Sequence, residues 1–184
     1  MNQLVFRVMV MARYRRARVA GGTYFFTVVT ERRQRVLVLP EVRAALRAAI
    51  ENVRVARPFD IKGWVLLPDH IHAIWTLPPD DADFATRWRL IKLLFAKGLP
   101  KHERLSAVRR QRKERGIWHR RYWEHTIRDE RDFEAHVNYI HFNPVKHRHA
   151  TAPRDWPHSS FNRFVREGLL APDWAVVPEI ELPE

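Results

Sequence analysis

Two β-type runs separated by only two residues are the feature of this sequence that most constrains its fold. Residues 59–67 and 70–77 are rich in apolar and β-branched side chains, and Pro68-Asp69 forms a tight break between them. So short a connection joins antiparallel strands, because parallel neighbours need a crossover of a dozen or more residues. The sequence therefore predicts a β-hairpin against which the rest of the chain has to pack.

The second strand of this hairpin carries two histidines on one face. Side chains alternate along a strand, so His70 and His72 point the same way and Ile71 points the other way. Histidine is the commonest metal ligand at neutral pH, and two imidazoles on one rigid strand supply half of a metal site. A surface position or a hydrogen-bonded core position is the more common role for such a pair. Further candidate ligands elsewhere in the chain are needed to favour a metal site over these roles.

The remaining pattern alternates strands with helices. Predicted strands cover residues 23–30, 59–67, 70–77 and 122–128, and predicted helices cover residues 40–55, 83–96, 129–142 and 161–167. The third helix is predicted to end before Asn143-Pro144, because the residue before a proline is pushed out of helical geometry. The order β-α-β-β-α-β-α predicts an α+β protein with a ferredoxin-like sandwich, in which helices cover one face of an antiparallel sheet. The third helix and the tail are additions to that core.

The chain of 184 residues is long enough for one domain with a real core, and we find no internal repeat or second core. We predict a single domain, 1–184, with a basic N-terminal arm over residues 1–20. A basic insertion covers residues 101–121, and an extended, proline-rich tail covers residues 169–184.

The composition restricts the partners and the chemistry. Lys and Arg number 33 against 21 Asp and Glu, which gives a formal net charge of +12 and predicts a polyanionic partner such as nucleic acid. No long apolar run or basic amphipathic helix supports membrane association. Because there is no cysteine, disulfides and zinc-thiolate sites are excluded, and any metal has to be held by His, carboxylate, amide and water. The lack of cysteine suits a reducing cytoplasm.

Two basic segments are candidate DNA contacts. Short basic arms commonly bind phosphates, and bases stack on aromatic rings that are interleaved with basic residues, such as Trp118, Tyr122 and Trp123. A flexible, solvated connector is the alternative for the second segment. The candidates are Tyr14, Arg15 and Arg16 in the first segment, and Arg109, Arg110, Arg112, Lys113, Arg120 and Arg121 in the second.

The third predicted helix has two stripes when its residues are placed about 100° apart. The apolar stripe is predicted to be buried and contains Phe133, Val137 and Ile140. The second stripe is polar, lies well away from the first, and contains Asp132, His136, Tyr139 and Asn143. A surface aromatic is the simpler interpretation of Tyr139 on such a stripe, and a metal site nearby would favour a catalytic role.

These residue types suit the cleavage of a phosphodiester. A tyrosine hydroxyl can attack phosphorus and hold the DNA end covalently, which conserves the bond energy for rejoining. A divalent cation polarises the scissile phosphate and neutralises charge on the leaving oxygen. An amide oxygen of Asn143 with His70 and His72 would make three neutral ligands, which leave the full charge of the cation for the phosphate.

The motifs resemble those of a known family. The His-hydrophobic-His motif is similar to that of the HUH endonucleases, and the joint pattern over residues 14–174 resembles the REP-associated tyrosine transposases, relatives of the IS200/IS605 transposases. The matching segments are Gly21-Gly22-Thr23-Tyr24-Phe25-Phe26-Thr27, Pro68-Asp69-His70-Ile71-His72, Glu124-His125, Tyr139-Ile140, Asn143-Pro144-Val145-Lys146-His147 and Trp156-Pro157-His158-Ser159-Ser160. Residues 1–10 and 101–116 depart from the pattern.

The resemblance implies specific roles. Tyr139 falls on the nucleophile, His70 and His72 fall on the metal ligands, and Asn143 falls on the position that completes the metal site. The expected cofactor is Mg²⁺ or Mn²⁺. The expected partner is single-stranded or hairpin DNA near REP elements, cleaved through a 5′-phosphotyrosyl link that frees a 3′-hydroxyl, with the basic arm on the bases beside the hairpin. Apart from the resemblance, His136 lies on the polar stripe one turn before Tyr139 and is an accessory candidate that would orient it, with a plain solvated histidine as the alternative.

Two other functions remain open at this point. A DNA-binding regulator that has lost catalysis would keep the same basic surface, although all four proposed site residues are present. A metal nuclease that uses water would need no tyrosine. We expect a monomer or homodimer in the bacterial cytoplasm, associated with the nucleoid.

Overall fold

The structure is a computed structural model that describes residues 18–101, 106–112, 114–175 and 180. Its four strands are β1 (Thr23–Val29), β2 (Asp60–Leu66), β3 (His70–Thr76) and β4 (Trp123–Thr126). Its α-helices are α1 (Pro40–Ala56), α2 (Phe84–Gly98), α3 (Ala107–Gln111), α4 (Glu130–Lys146) and α5 (Phe161–Arg166). The strands form one sheet in the order β2-β3-β1-β4, with every neighbouring pair antiparallel. The predicted α+β class and antiparallel sheet are confirmed. None of the helices described is both long and apolar enough to cross a membrane.

Helices cover both faces of the sheet. Alternation along β3 sends Ile71, Ala73 and Trp75 into a core cluster with α1 and α2. Ile74 and the histidines of β3 face the other way, where α4 and α5 close a second, smaller cluster. The predicted one-sided sandwich is therefore correct for α1 and α2, and the added helix α4 forms a third layer on the opposite face.

Burial of α4 from two sides changes the interpretation of its polar stripe. His136, Tyr139 and Asn143 are only 3%, 1% and 1% exposed, so a surface aromatic is the wrong interpretation of Tyr139. These side chains face the sheet, while His141 on another side of the helix contacts Phe164 of α5. The sequence periodicity could not show that the C-terminal segment folds back over α4.

A glycine allows α4 to lie close to β2. A Cβ at Gly63 would lie 3.3 Å from Cδ1 of Ile140 and 3.3 Å from Cδ1 of Ile74, which is tighter than most contacts in proteins. Because Gly63 has no side chain, Ile140 packs directly against the strand. This close approach fixes the height of α4 above the sheet, and therefore the position of the residues that α4 contributes to the site.

The predicted end of α4 at residue 142 is wrong. The helix continues through Pro144 to Lys146, and the amide of His147 donates to the carbonyl of Asn143 over 3.0 Å. Proline removes one donor, but at two residues before the helix end it disturbs only the last turn. Asn143 therefore stays helical and lies one turn after Tyr139, on the same side of the helix.

The basic segment at residues 101–121 is anchored where the structure describes it, so a flexible connector is the wrong interpretation there. Arg109 in the short helix α3 forms an ion pair with Glu31. Arg115 donates to the carbonyls of Ala96 and Leu99. Trp118 is buried and pairs with Thr30 at the end of β1.

The free edge of β2 is covered by the chain's own C-terminal segment. The amide of Leu66 donates to the carbonyl of His158, and the amide of Ser160 donates to the carbonyl of Trp64, each over 2.8 Å. The hydroxyl of Ser160 also accepts from the amide of Trp64 and lies 2.9 Å from Nε2 of His141 in α4. The segment thus ties α4 to the edge of the sheet.

Candidate active site

The two histidines of β3 are each held through one ring nitrogen. His70 Nδ1 lies 2.7 Å from Oδ1 of Asp69, and His72 Nδ1 lies 3.0 Å from the hydroxyl of Thr27 on β1. The rings are 4.8 Å apart between centroids, and both are almost fully buried. A partner on Nδ1 fixes the orientation of each ring and leaves Nε2 to face the site, as in histidines that bind metals.

Helix α4 brings Tyr139 against this pair. The Tyr139 ring lies edge-on to His72, with 5.1 Å between ring centroids, and Phe25 of β1 contacts both rings. Lys146 Nζ lies 5.1 Å from the centroid of the Tyr139 ring. His147 lies 5.3 Å from His70, centroid to centroid. The nucleophile predicted from sequence and the predicted metal ligands therefore meet in space.

Four buried polar atoms of the site have no hydrogen-bond partner among the residues that the structure describes. They are Nε2 of His70, Nε2 of His72, and both Oδ1 and Nδ2 of Asn143. A buried polar group without a partner costs about 1–3 kcal/mol, so a cluster of them is unfavourable unless a ligand is bound. Two imidazole nitrogens and an amide oxygen are donors that suit a divalent cation. The residues present fit the metal that the motifs predict.

The local electrostatics keep His72 in the form that binds metals. Burial, together with the neighbouring His70 and His147, holds the pKa of His72 well below its usual value, so its imidazole is neutral at pH 7. Burial raises the pKa of the Asp69 carboxyl, but the hydrogen bonds and charges of His70 and Arg33 outweigh this and lower it to about 2. Asp69 is therefore an anion that accepts a hydrogen bond from His70 Nδ1.

A second cluster of titratable residues lies where β4 meets α4. His125, Asp132 and His136 place ligand atoms within 4.8 Å of one another, so the group could hold a metal. However, Asp132 already accepts from His125 Nε2 at 2.8 Å and from the backbone amide and Nε of Arg128. Nδ1 of His136 lies 3.1 Å from the other carboxylate oxygen of Asp132, so both imidazoles already face this one carboxylate, with 12° between their stacked planes. The arrangement fits a hydrogen-bonded support for the start of α4 better than a cation site.

This support predicts a pH-dependent contribution to stability. Burial raises the pKa of the Asp132 carboxyl, but hydrogen bonds from His125 and Arg128 outweigh it and lower the pKa to about 2. Because the folded-state pKa lies below that of the unfolded chain, the contribution is full above about pH 4 and is lost as the pH falls toward 2. We expect Asp132→Asn to lower the free energy of unfolding by about 2 kcal/mol at pH 7, measured by urea denaturation. The same loss should appear at pH 5.5, and a loss confined to low pH would contradict this assignment.

His136 does not contact Tyr139 through its bonded nitrogen. Its Nδ1 lies 2.7 Å from the carbonyl oxygen of Asp132, and its ring packs on Phe25 and His125. Phe25 in turn contacts the Tyr139 ring. The structure thus links His136 to the nucleophile through Phe25, and its accessory role stays a prediction.

The predicted DNA contacts are only partly described. Tyr14, Arg15, Arg16 and Lys113 lie outside the described residues. Arg109 is paired with Glu31, and Arg120 is exposed and lies 3.4 Å from Glu114. Arg112 and Arg121 are exposed, as is Arg110 in α3.

Sequence reasoning did not assign roles to several residues that shape the site. Asp69 and His147 lie inside the matching motifs. Their places in the sequence beside His70 and Lys146 were the signal that could have assigned them to the site. Thr27 and Phe25 reach the site from β1 through the register in which Thr27 lies opposite His72. Strand register between distant segments could not be deduced from the sequence.

The family of the chain follows from comparison with known proteins. The family model described as "Transposase IS200 like" matches residues 18–143. The chain therefore belongs to the IS200-like transposase family, and it is an enzyme of the tyrosine transposase class, as the motifs predicted.

Individual relatives cover almost the whole chain. The REP-associated tyrosine transposase of Escherichia coli K12 is 45% identical over 167 residues, which cover 90% of this chain and 92% of that protein. A Haemophilus influenzae protein, also named as a REP-associated tyrosine transposase but without a firm assignment, is 39% identical over 176 residues. These cover 94% of this chain and 98% of that protein. A solved structure, of a REP-associated tyrosine transposase bound to a REP hairpin, is 42% identical. It superposes with a TM-score of 0.78 and covers 93% of this chain and 95% of its own.

Proposed function

We propose that this chain cleaves and transfers single-stranded DNA next to REP-type hairpins, using a divalent cation and a covalent 5′-phosphotyrosine intermediate on Tyr139. The observation that carries the proposal is the contact of the buried Tyr139 with the histidine pair, whose Nε2 atoms are unpartnered, while α4 places the unpartnered amide of Asn143 one turn after Tyr139. The named relatives and the hairpin-bound neighbour support hairpin DNA as the substrate.

His70 and His72 would hold Mg²⁺ or Mn²⁺ through Nε2, and Asn143 through its amide oxygen. The bound cation supplies Lewis-acid neutralisation of the scissile phosphate and of the leaving oxygen. Asp69 and Thr27 keep the two imidazoles in orientation through their Nδ1 atoms. Because the imidazoles and the amide are neutral ligands, they leave the full positive charge of the cation to interact with the phosphate.

Tyr139 performs the covalent step. Its hydroxyl oxygen attacks phosphorus, the bond from phosphorus to the 3′-oxygen breaks, and the products are a phosphotyrosyl 5′ end and a free 3′-hydroxyl. The tyrosine loses a proton and the leaving oxygen gains one. Lys146, whose ammonium lies over the tyrosine ring, places positive charge beside the attacking group and the phosphate. Reversal of the step on a second 3′-hydroxyl transfers the strand.

The proposal is tested by trapping the intermediate. A REP-type hairpin with unpaired flanks, labelled at its 3′ end, is incubated with the protein and Mg²⁺ or Mn²⁺ and run on a denaturing protein gel. We expect label to migrate with the protein, and the released 5′ fragment to be extendable by a polymerase because it ends in a 3′-hydroxyl. Tight binding without cleavage would instead identify a regulator that has lost catalysis.

The anchored basic segment yields a separate prediction about phosphate contacts. We expect replacement of Arg112 and Arg121 by glutamine to lower the slope of log affinity against log salt by about 1.4 for single-stranded DNA, since each phosphate contact contributes about 0.7. Fluorescence anisotropy over a salt series measures this slope. Arg109→Gln provides a comparison, because Arg109 is paired with Glu31 within the protein. An unchanged slope in the double variant would mean that these two arginines are only solvated.

A further inference from the structure

A basic groove lies on the face of the sheet away from Tyr139. It has a volume of about 1010 Å³ and runs between α1, the edge strand β2 and residues 157–163. Leu46, Ile50, Trp64 and Leu66, which belong to or pack against the core cluster of α1 and α2, form part of its floor. Two carboxylates, Glu51 and Asp60, also line it. The cations that line the groove outnumber them by three, and are Arg43, Arg47, Arg54, Lys62 and Arg163.

Three of these cations form a row on one side of α1. At about 100° per residue, Arg43, Arg47 and Arg54 fall within roughly 40° of one another, along one border of the buried stripe of the helix. The row extends about 16 Å along the helix axis, at about 1.5 Å per residue. A duplex rises about 3.4 Å per base pair along its axis, so a row parallel to that axis would span roughly five base-pair levels.

Some of these guanidinium groups are held in place by the protein. Arg43 Nη1 donates to Nδ1 of His158 over 3.2 Å, and Arg54 Nε donates to the carbonyl of Phe59 over 3.1 Å. Arg47 and Lys62 are exposed on either side of the groove. Donors whose orientation is already fixed lose less conformational freedom when they bind a ligand. The groove is therefore suited to a rigid polyanion.

A continuous row of rings connects this groove to the active site. His147, which contacts His70, stacks on His149 with 6.1 Å between centroids, and His149 stacks on Trp156 at 5.6 Å. Trp156 contacts His158, and His158 accepts the hydrogen bond from Arg43. The row passes around the covered edge of β2. A DNA molecule cleaved at Tyr139 can therefore reach the groove along a surface of contiguous side chains.

We propose that this groove binds the sugar-phosphate backbone of the duplex stem, while the adjoining unpaired strand occupies the site at Tyr139. This inference rests on the proposed function in one respect, namely that the substrate is a DNA hairpin. A duplex fits better than a single strand because the cations form a straight, evenly directed row. Single-strand sites rely on aromatic rings on which bases stack. The described rings that line the groove are the partly buried Trp64 and His158, which is hydrogen-bonded to Arg43.

Binding is measured by anisotropy in a Tyr139→Phe background, so that strand cleavage does not affect the result. The test variant carries Arg47→Gln and Lys62→Gln. The matched control carries Arg89→Gln and Lys97→Gln, which remove the same charges from exposed positions on α2, outside the groove. The two probes are a blunt hairpin without flanks and an unpaired 20-mer. Each is titrated over a salt series.

We expect the groove variant to bind the blunt hairpin roughly tenfold more weakly at low salt, with a salt slope smaller by about 1.8. The control variant should match the parent, and the affinity of every variant for the 20-mer should be unchanged. If the groove variant shows an unaltered salt slope with the blunt hairpin, the groove does not bind DNA. Weaker binding of the 20-mer alone would reject the assignment of the groove to the duplex stem. If the parent binds neither DNA, the proposed function itself fails, which is a distinct outcome.

Discussion

Replacement of Tyr139 by phenylalanine should abolish the covalent adduct and lower strand cleavage by on the order of 10⁶-fold, the scale seen when an enzyme loses a side-chain nucleophile. The variant should fold normally. The phenyl ring keeps the contacts of the tyrosine ring with Phe25 and His72, and only the hydroxyl is removed. Adduct formation is measured with the 3′-labelled hairpin, and binding of the same hairpin is measured in parallel by anisotropy.

The matched control for this experiment is Tyr122→Phe. Tyr122 is a partly buried aromatic that packs against the core on the face of α1 and α2, away from His70 and His72. We expect this variant to form the adduct at the parental rate. Cleavage that persists in Tyr139→Phe without an adduct would show that water is the nucleophile, and would reject the phosphotyrosine intermediate.

Replacement of His72 by alanine should remove both cleavage and stabilisation by the metal. At a Mn²⁺ concentration of about ten times the dissociation constant, binding to the folded state adds about 1.4 kcal/mol, which raises Tm by about 3–5 °C for a chain of this size. We expect this rise for the parent without DNA and no rise for His72→Ala. Differential scanning calorimetry with and without MnCl₂ measures it, so the result does not depend on activity.

A second variant distinguishes the two clusters that could hold a cation. His125→Ala removes a residue from the group formed with Asp132 and His136 and leaves the histidine pair of β3 intact. We expect its Tm to rise with Mn²⁺ as in the parent, from a lower starting value because Asp132 loses a hydrogen bond. If His125→Ala loses the rise and His72→Ala keeps it, the metal is held at the junction of β4 and α4, and the assignment to His70 and His72 is wrong.

Local signals were sufficient to predict the sheet. The short break at Pro68-Asp69 fixed the hairpin, and every predicted strand and helix has a counterpart within a few residues of its observed ends. The alternation that placed His70 and His72 on one face depends only on strand geometry, and the structure places both rings on that face. Pairing of Tyr139 with the histidines came from the family resemblance, because spacing in the sequence does not fix distance across a fold.

Tertiary packing decided what local patterns could not. The polar stripe of α4 looked solvent-exposed because the amphipathic pattern assumes one buried side, whereas α4 packs between the sheet and the C-terminal segment. The rule for residues before proline favoured an end at residue 142, and closure of the last turn on Asn143 overrode it. A flexible connector was the alternative to a DNA-contacting loop for the basic insertion, but bonds from Arg109 and Arg115 to distant residues hold the described part in place.

The pairing of residues 158–160 with β2 bears on self-association as well as on the site. An unpaired edge strand is a template on which a second copy can continue the sheet. Here the amides of Trp64 and Leu66 and the carbonyl of Trp64 already bond to His158 and Ser160. A second copy could extend the sheet across these residues only after displacing a segment that also holds His141 of α4 through Ser160. Sheet-to-sheet dimerisation at this edge would therefore loosen the support of the helix that carries Tyr139.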